Sequence, residues 1–127
     1  MQYMTTALIV AGMLALAGCA HITPRGGTPA HVWQARSSLD DASNCVVAAL
    51  NREMVGGALN PAVTHSIQTI EMKNVHEVVP QQNLMLAGEI YFVRLTAAGP
   101  AVTRIELFSN ATWTRRLANA VSRCSSS

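Results

Sequence analysis

Residues 7–17 form an unbroken apolar run without a charged side chain, and no other feature limits the fold as much. The run is too short to span a bilayer, which takes about 20 apolar residues. Soon after it comes His21-Ile22-Thr23-Pro24-Arg25-Gly26-Gly27-Thr28-Pro29. Two Pro and two Gly so close together break helix and central strand alike. About 90 residues are left to build a folded unit, enough for one domain with a modest core.

The apolar run has the length of a signal-peptide h-region, and it leads directly into Leu16-Ala17-Gly18-Cys19. This tetrapeptide in this position resembles the bacterial lipobox. The resemblance implies cleavage between Gly18 and Cys19, a diacylglyceryl group on the Cys19 thiol, and acylation of the new amino group. The thiolate is the nucleophile that such lipidation needs. Residues 1–6 contain no Lys or Arg, a departure from the usual basic start. In enterobacterial lipoproteins an Asp after the cysteine favours the inner membrane. Ala20 in that position implies the outer membrane, with the domain on its periplasmic face. Several acyl chains hold a protein stably, each buried CH2 adding about 0.8 kcal/mol.

The resulting organisation is a signal peptide (1–18), a lipidated N-terminus and tether (19–37), one domain (38–124) and a frayed tail (125–127). Fully extended, the tether would reach roughly 60 Å, at about 3.3–3.6 Å per residue. Val32 and Trp33 are expected to dock on the body. The formal net charge of +2 lies wholly outside the leader. It is too small to argue for a nucleic-acid face, where clustered basic residues would be expected. Aromatics are only 5% of the chain, so stacking platforms are scarce.

Within the domain, Ser38 opens a helix whose first turn holds Asp40 and Asp41, at the positive end of the helix dipole. Ala42, Val46, Ala49, Leu50 and Met54 follow at helical spacing, and Gly56-Gly57 ends the helix. Residues 64–80 read weakly, with a short strand at 75–79 stopped by Pro80. Residues 89–95 and 102–108 read as strands joined by the Ala97-Ala98-Gly99-Pro100 turn, hence an antiparallel hairpin. Thr103, Ile105 and Leu107 fall on one face and Arg104 and Glu106 on the other. Asn110 then caps a last helix running to about Arg123. Its apolar stripe is Trp113, Leu117, Ala120, Val121 and Cys124. The expected fold is α+β: a small, mainly antiparallel sheet of three to four strands with two helices on one face, in the order α-β-β-β-α.

With Cys19 taken by lipid, Cys45 and Cys124 remain as an even pair in an oxidising compartment. Each sits on the apolar side of its helix, so the pattern predicts a disulfide that links the helices. A redox Cys-x-x-Cys motif and a clustered zinc set are both absent from the sequence.

Chemistry is sparse. His21, His31, His65 and His76 are scattered, with no ligand spacing, and no metal or other cofactor is expected. Catalytic motifs of the nucleophile-elbow, phosphate-loop and dinucleotide types do not occur. Ser43 and Asn44 read as solvated helix positions, and Arg115-Arg116 as a solubilising pair. Glu71, Glu77, Glu89 and Glu106 read as the wet face of a one-sided sheet. Asn110-Ala111-Thr112 matches a glycosylation sequon but reads as a cap. No catalytic residue is assigned. The expectation is a non-catalytic envelope module that meets a protein partner through its open sheet face or an edge strand. The alternative is an inhibitor or immunity protein against a secreted or periplasmic hydrolase, plugging it with the loop from Pro80 to Leu86.

Overall fold

Ser38 is the N-cap of α1 (Leu39–Glu53), its side chain accepting from the Asp41 backbone N–H at 3.2 Å. That bond satisfies one of the donors a helix start leaves open. The computed structural model describes residues 27–54, 63–70, 74–81 and 91–125. In α1 the buried positions Ala42, Ser43, Val46, Ala49 and Leu50 form one stripe. The second helix, α2 (Ala111–Val121), continues into a 3-10 turn, Ser122–Cys124. Leu117, Ala118, Ala120, Val121 and Cys124 form its buried side.

Five strands make one sheet: β1 (His31–Ala35), β2 (His65–Thr69), β3 (Val75–Pro80), β4 (Tyr91–Gly99) and β5 (Val102–Ser109). Their order across the sheet is β1-β5-β4-β3-β2, every neighbour antiparallel. The last four strands form a meander. β1 adds to its far edge, and α1 carries the chain from that edge back across to β2.

The α+β class, the antiparallel pairing and the two linked helices on one face agree with the sequence. The count and order do not: the sheet has five strands, and the chain runs β-α-β-β-β-β-α. The strand not anticipated before α1 is β1, inside the segment read as tether. Its sequence, His-Val-Trp-Gln-Ala, follows a Pro/Gly-rich stretch and has only five residues, so its local signal is weak. Pairing with β5 supplies what the local sequence lacks. The chain is already held at Ala30, whose N–H donates to the Leu107 carbonyl at 2.8 Å. Trp33 packs against the core while Val32 stays 47% exposed, so only one of the two docks. A second addition is β2, in the stretch whose alternation was imperfect. β4 also runs on to Gly99, and the turn to β5 is just Pro100-Ala101, with a register shift between Ala97 and Gly99.

The core lies between the helices and the inner sheet face. Val78, Tyr91, Val93, Leu95, Ile105 and Leu107 face it from the strands. Thr103 is fully buried there, yet its hydroxyl donates to the Ser37 carbonyl at 3.0 Å. That bond ties β5 to the link between β1 and α1.

Candidate interaction surfaces

Strand register sorts the outer face of the sheet, the one away from both helices, into rows. Gln68, Glu77, Arg94, Glu106 and Val32 stand directly opposite one another across all five strands. The adjacent row toward the start of β4 holds Phe92 opposite Phe108. On the other side lie Val75, Thr96, Arg104 and Gln34. Directly opposed side chains are the unit of sheet stabilisation, and opposite charges there attract.

The central row is not simply wet. Glu77 is only 1% exposed. Arg94 donates to its Oε2 from Nε at 3.2 Å and from Nη2 at 3.0 Å. The same guanidinium lies 5.5 Å from the Phe92 ring centroid and 5.0 Å from that of Phe108. The two rings stack 4.7 Å apart and both are buried. Reading Glu77 as a solvated strand position is therefore corrected. Arg94 on the neighbouring strand pairs with it, and β-strand spacing by itself cannot reveal such a partner. Glu106 is also largely covered, its side chain 15% exposed, and it pairs at 3.7 Å with the exposed Arg104. Glu71 and Glu89 lie outside the described residues.

The inner face holds two polar clusters. Asn51 Oδ1 accepts from the His65 backbone N–H at 2.9 Å and contacts His65 Nδ1 at 2.7 Å. A carboxamide oxygen only accepts, so Nδ1 carries the proton and Nε2 accepts from the Tyr91 hydroxyl, 2.7 Å away. Burial pushes the His65 pKa down to about 4 and that of Tyr91 up to about 12, the latter partly opposed by Arg116. Both groups are thereby kept neutral. The second cluster is Ser43 Oγ with His76 Nδ1 at 2.9 Å. Ser43 is fully buried, not solvated as its sequence context suggested, while Asn44 beside it is exposed. A serine facing a histidine invites a nucleophilic reading, but a substrate has no path to an oxygen with no accessible surface. Among the described residues, no buried side-chain polar atom lacks a partner. These groups are consumed in holding α1 to β2, β3 and β4.

Arg115 and Arg116 have separate fates. Arg116 donates from Nε to Glu53 Oε1 at 2.9 Å and from Nη2 to the Glu53 carbonyl at 2.7 Å. It thus caps the end of α1 from α2, and its guanidinium sits 6.0 Å from the Trp113 ring centroid. Arg115 is exposed and lines an open cleft of about 640 Å³ with Ala30, His31, Ser109, Ala118 and Asn119. His31 stacks on Trp33 with centroids 5.4 Å apart. The cleft lies where the chain enters β1.

Cys45 and Cys124 are joined, their Cα atoms 5.8 Å apart across 79 residues of sequence. Gly18, Cys19 and His21 lie outside the described residues, as does the Pro80–Leu86 loop beyond Gln81. Asp40 and Asp41 are exposed in the first turn of α1. Asn110 occupies the N-cap of α2, without a side-chain capping bond. Among the described residues no group of three His, Cys, Asp or Glu is placed to hold a metal ion. The Phe92–Phe108–Arg94 cluster and the His65–Asn51–Tyr91 chain were not anticipated. Their only sequence signal was an Arg flanked by aromatic and branched residues in β4. Comparison with protein-family models and with curated proteins finds no match for this chain.

Proposed function

We propose that this protein is a non-catalytic lipoprotein of the bacterial envelope, anchored through Cys19 and meeting a protein partner through the outer face of its sheet. One observation carries the interaction reading. On the face opposite both described helices, Gln34, Gln68 and Arg104 are exposed, while Glu77, Phe92 and Phe108 between them are buried. Exposed polar and cationic side chains held at fixed strand positions suit specific recognition, since charges across an interface select partners and set register. The internal engagement of Ser43, His65, His76 and Tyr91 supports a binding role over a catalytic one. The lipobox-like Leu16-Ala17-Gly18-Cys19 supports the anchor.

Two measurements test this reading. The intact mass of membrane-purified protein should equal residues 19–127 plus acyl chains, with two thiols appearing only after reduction. A full-length, unacylated mass would sink the anchor. Photo-crosslinkers placed at Gln34 and Arg104 in cells should capture one discrete partner, and crosslinkers at Asn44 and Asn119 should not. Capture equally from the helix side would remove the outer face from consideration. Shortening the loop at residues 82–86 should leave the adduct intact. Its loss would favour the inhibitor reading instead.

A further inference from the structure

We propose that the end of the domain where the tether joins is a membrane-facing surface that binds the phosphate groups of anionic lipid, through Arg115 and His31 in the cleft and Arg52 at the same end. The inference rests on the anchored-lipoprotein reading.

The placement follows from topology. β1 and β4 both run opposite to β5, so β1 starts, β4 starts and β5 ends at one end of the sheet. α2 begins there because it follows β5 directly, and α1 ends there, tied by Arg116 to Glu53. Charge is distributed unevenly between the two ends. In mid-sheet, Glu77 pairs with Arg94 and Glu106 with Arg104. At the far end Arg36 and Arg123 balance Asp40 and Asp41. At the tether end Arg52, Arg115 and Arg116 face Glu53 alone. The charged residues outside the described stretches, Arg25, Lys73, Glu71 and Glu89, cancel one another. Among the described residues, the formal excess of +2 therefore resides at the end where β1 begins.

The tether keeps that end close to lipid. From Cys19 to Ala30, the first residue fixed on the sheet, it has eleven residues. Even fully extended, a chain of that length reaches no more than roughly 40 Å. Each Arg near an anionic surface strengthens binding by about fivefold, and the effect fades within a Debye length. Of the three Arg, Arg116 is committed to Glu53, whereas Arg115 lies in the cleft beside His31 and Asn119, which can donate to phosphate oxygens; the Ser109 hydroxyl there donates to the Asn110 carbonyl. A guanidinium matches that geometry.

The acylated protein should be reconstituted in vesicles of phosphatidylethanolamine with about one-third phosphatidylglycerol, and in neutral phosphatidylcholine vesicles. Headgroup-attached spin labels then quench Trp33 and Trp113, the only tryptophans. Quenching should be at least about twofold stronger on the anionic vesicles and should fall to the neutral level in high salt. Arg115→Glu combined with Arg52→Glu should abolish the difference, while Arg123→Glu at the far end should preserve it. Thermal melts of each variant separate charge effects from unfolding. Equal quenching on both vesicles, or equal sensitivity to the far-end change, overturns the proposal while leaving the anchor standing. Displacement by millimolar inorganic phosphate would reassign the cleft to a free anion and also overturn it. A missing acyl mass sinks the anchor and the proposal together.

Discussion

His65 has two ring nitrogens and both are spent, one on Asn51 and one on Tyr91. Tyr91→Phe removes the only donor to Nε2 among the described residues and leaves a buried acceptor without it. The expected cost is about 1–3 kcal/mol in denaturant unfolding. The same histidine makes the fold acid-sensitive. Its folded pKa, about 4, lies below the ordinary 6.5, so below pH 6.5 the unfolded chain takes up a proton that the folded one refuses. Stability is full above about pH 6.5 and declines as pH falls toward 4, with a one-proton slope of at most about 1.4 kcal/mol per unit. His65→Gln should flatten that part of the profile, measured as urea midpoint against pH. Tyr91 acts at the other extreme. With its folded pKa raised to about 12, stability should fall as pH rises through the unfolded value of 10. At Arg94 the outer face is the issue. Arg94→Met keeps an apolar stem over Phe92 and Phe108 but leaves the Glu77 carboxylate without its guanidinium. A loss of about 1.5–3 kcal/mol is expected, because a buried carboxylate loses charge-assisted hydrogen bonds. A companion Glu77→Gln change should recover part of it.

Helix α1 is capped at both ends by side chains, Ser38 at its start and Arg116 at its end. Between them the disulfide joins α1 to the turn after α2. Closing a loop of 79 residues restricts the unfolded chain by about 4–5 kcal/mol in the chain-entropy treatment. Replacing Cys45 and Cys124 together by Ala should cost a comparable amount, read from the denaturant midpoint with an unchanged far-ultraviolet spectrum at low denaturant. Leu117 is the apolar centre of α2 and is fully buried. Leu117→Ala removes that packing and should cost about 2–5 kcal/mol, depending on how far the helices close over the gap.

One edge of the sheet is β1, which covers β5. A protein beginning at residue 38, where the sequence placed the start of the domain, would expose the backbone edge of β5 and uncover the Ile105 and Leu107 flank. Unpaired strand edges promote association. Such a protein should aggregate or unfold at lower denaturant than one beginning at residue 27, as light scattering and equilibrium unfolding would show.

The amino-acid sequence by itself determined the features whose physics is local. Ser38 followed by Asp40 and Asp41 marks a helix start whatever surrounds it. The stripe from Trp113 to Cys124 can bury only one side of one helix. Thr103, Ile105 and Leu107 alternate with Arg104 and Glu106 at the period of a strand, and a short Gly-Pro connection leaves only an antiparallel pairing. Two cysteines on two apolar stripes then had one sensible arrangement. Tertiary structure decided what depends on partners remote in sequence. Five residues, His31 to Ala35, become a strand because β5 offers them hydrogen bonds, not because of their own propensity. Ser43 and Glu77 are buried because His76 and Arg94 arrive from other strands to satisfy them. The neighbours Arg115 and Arg116 serve different ends because Glu53, 63 residues before Arg116, meets only one of them. A charge or hydroxyl takes its role from the group that pairs with it, and that group is chosen by the fold.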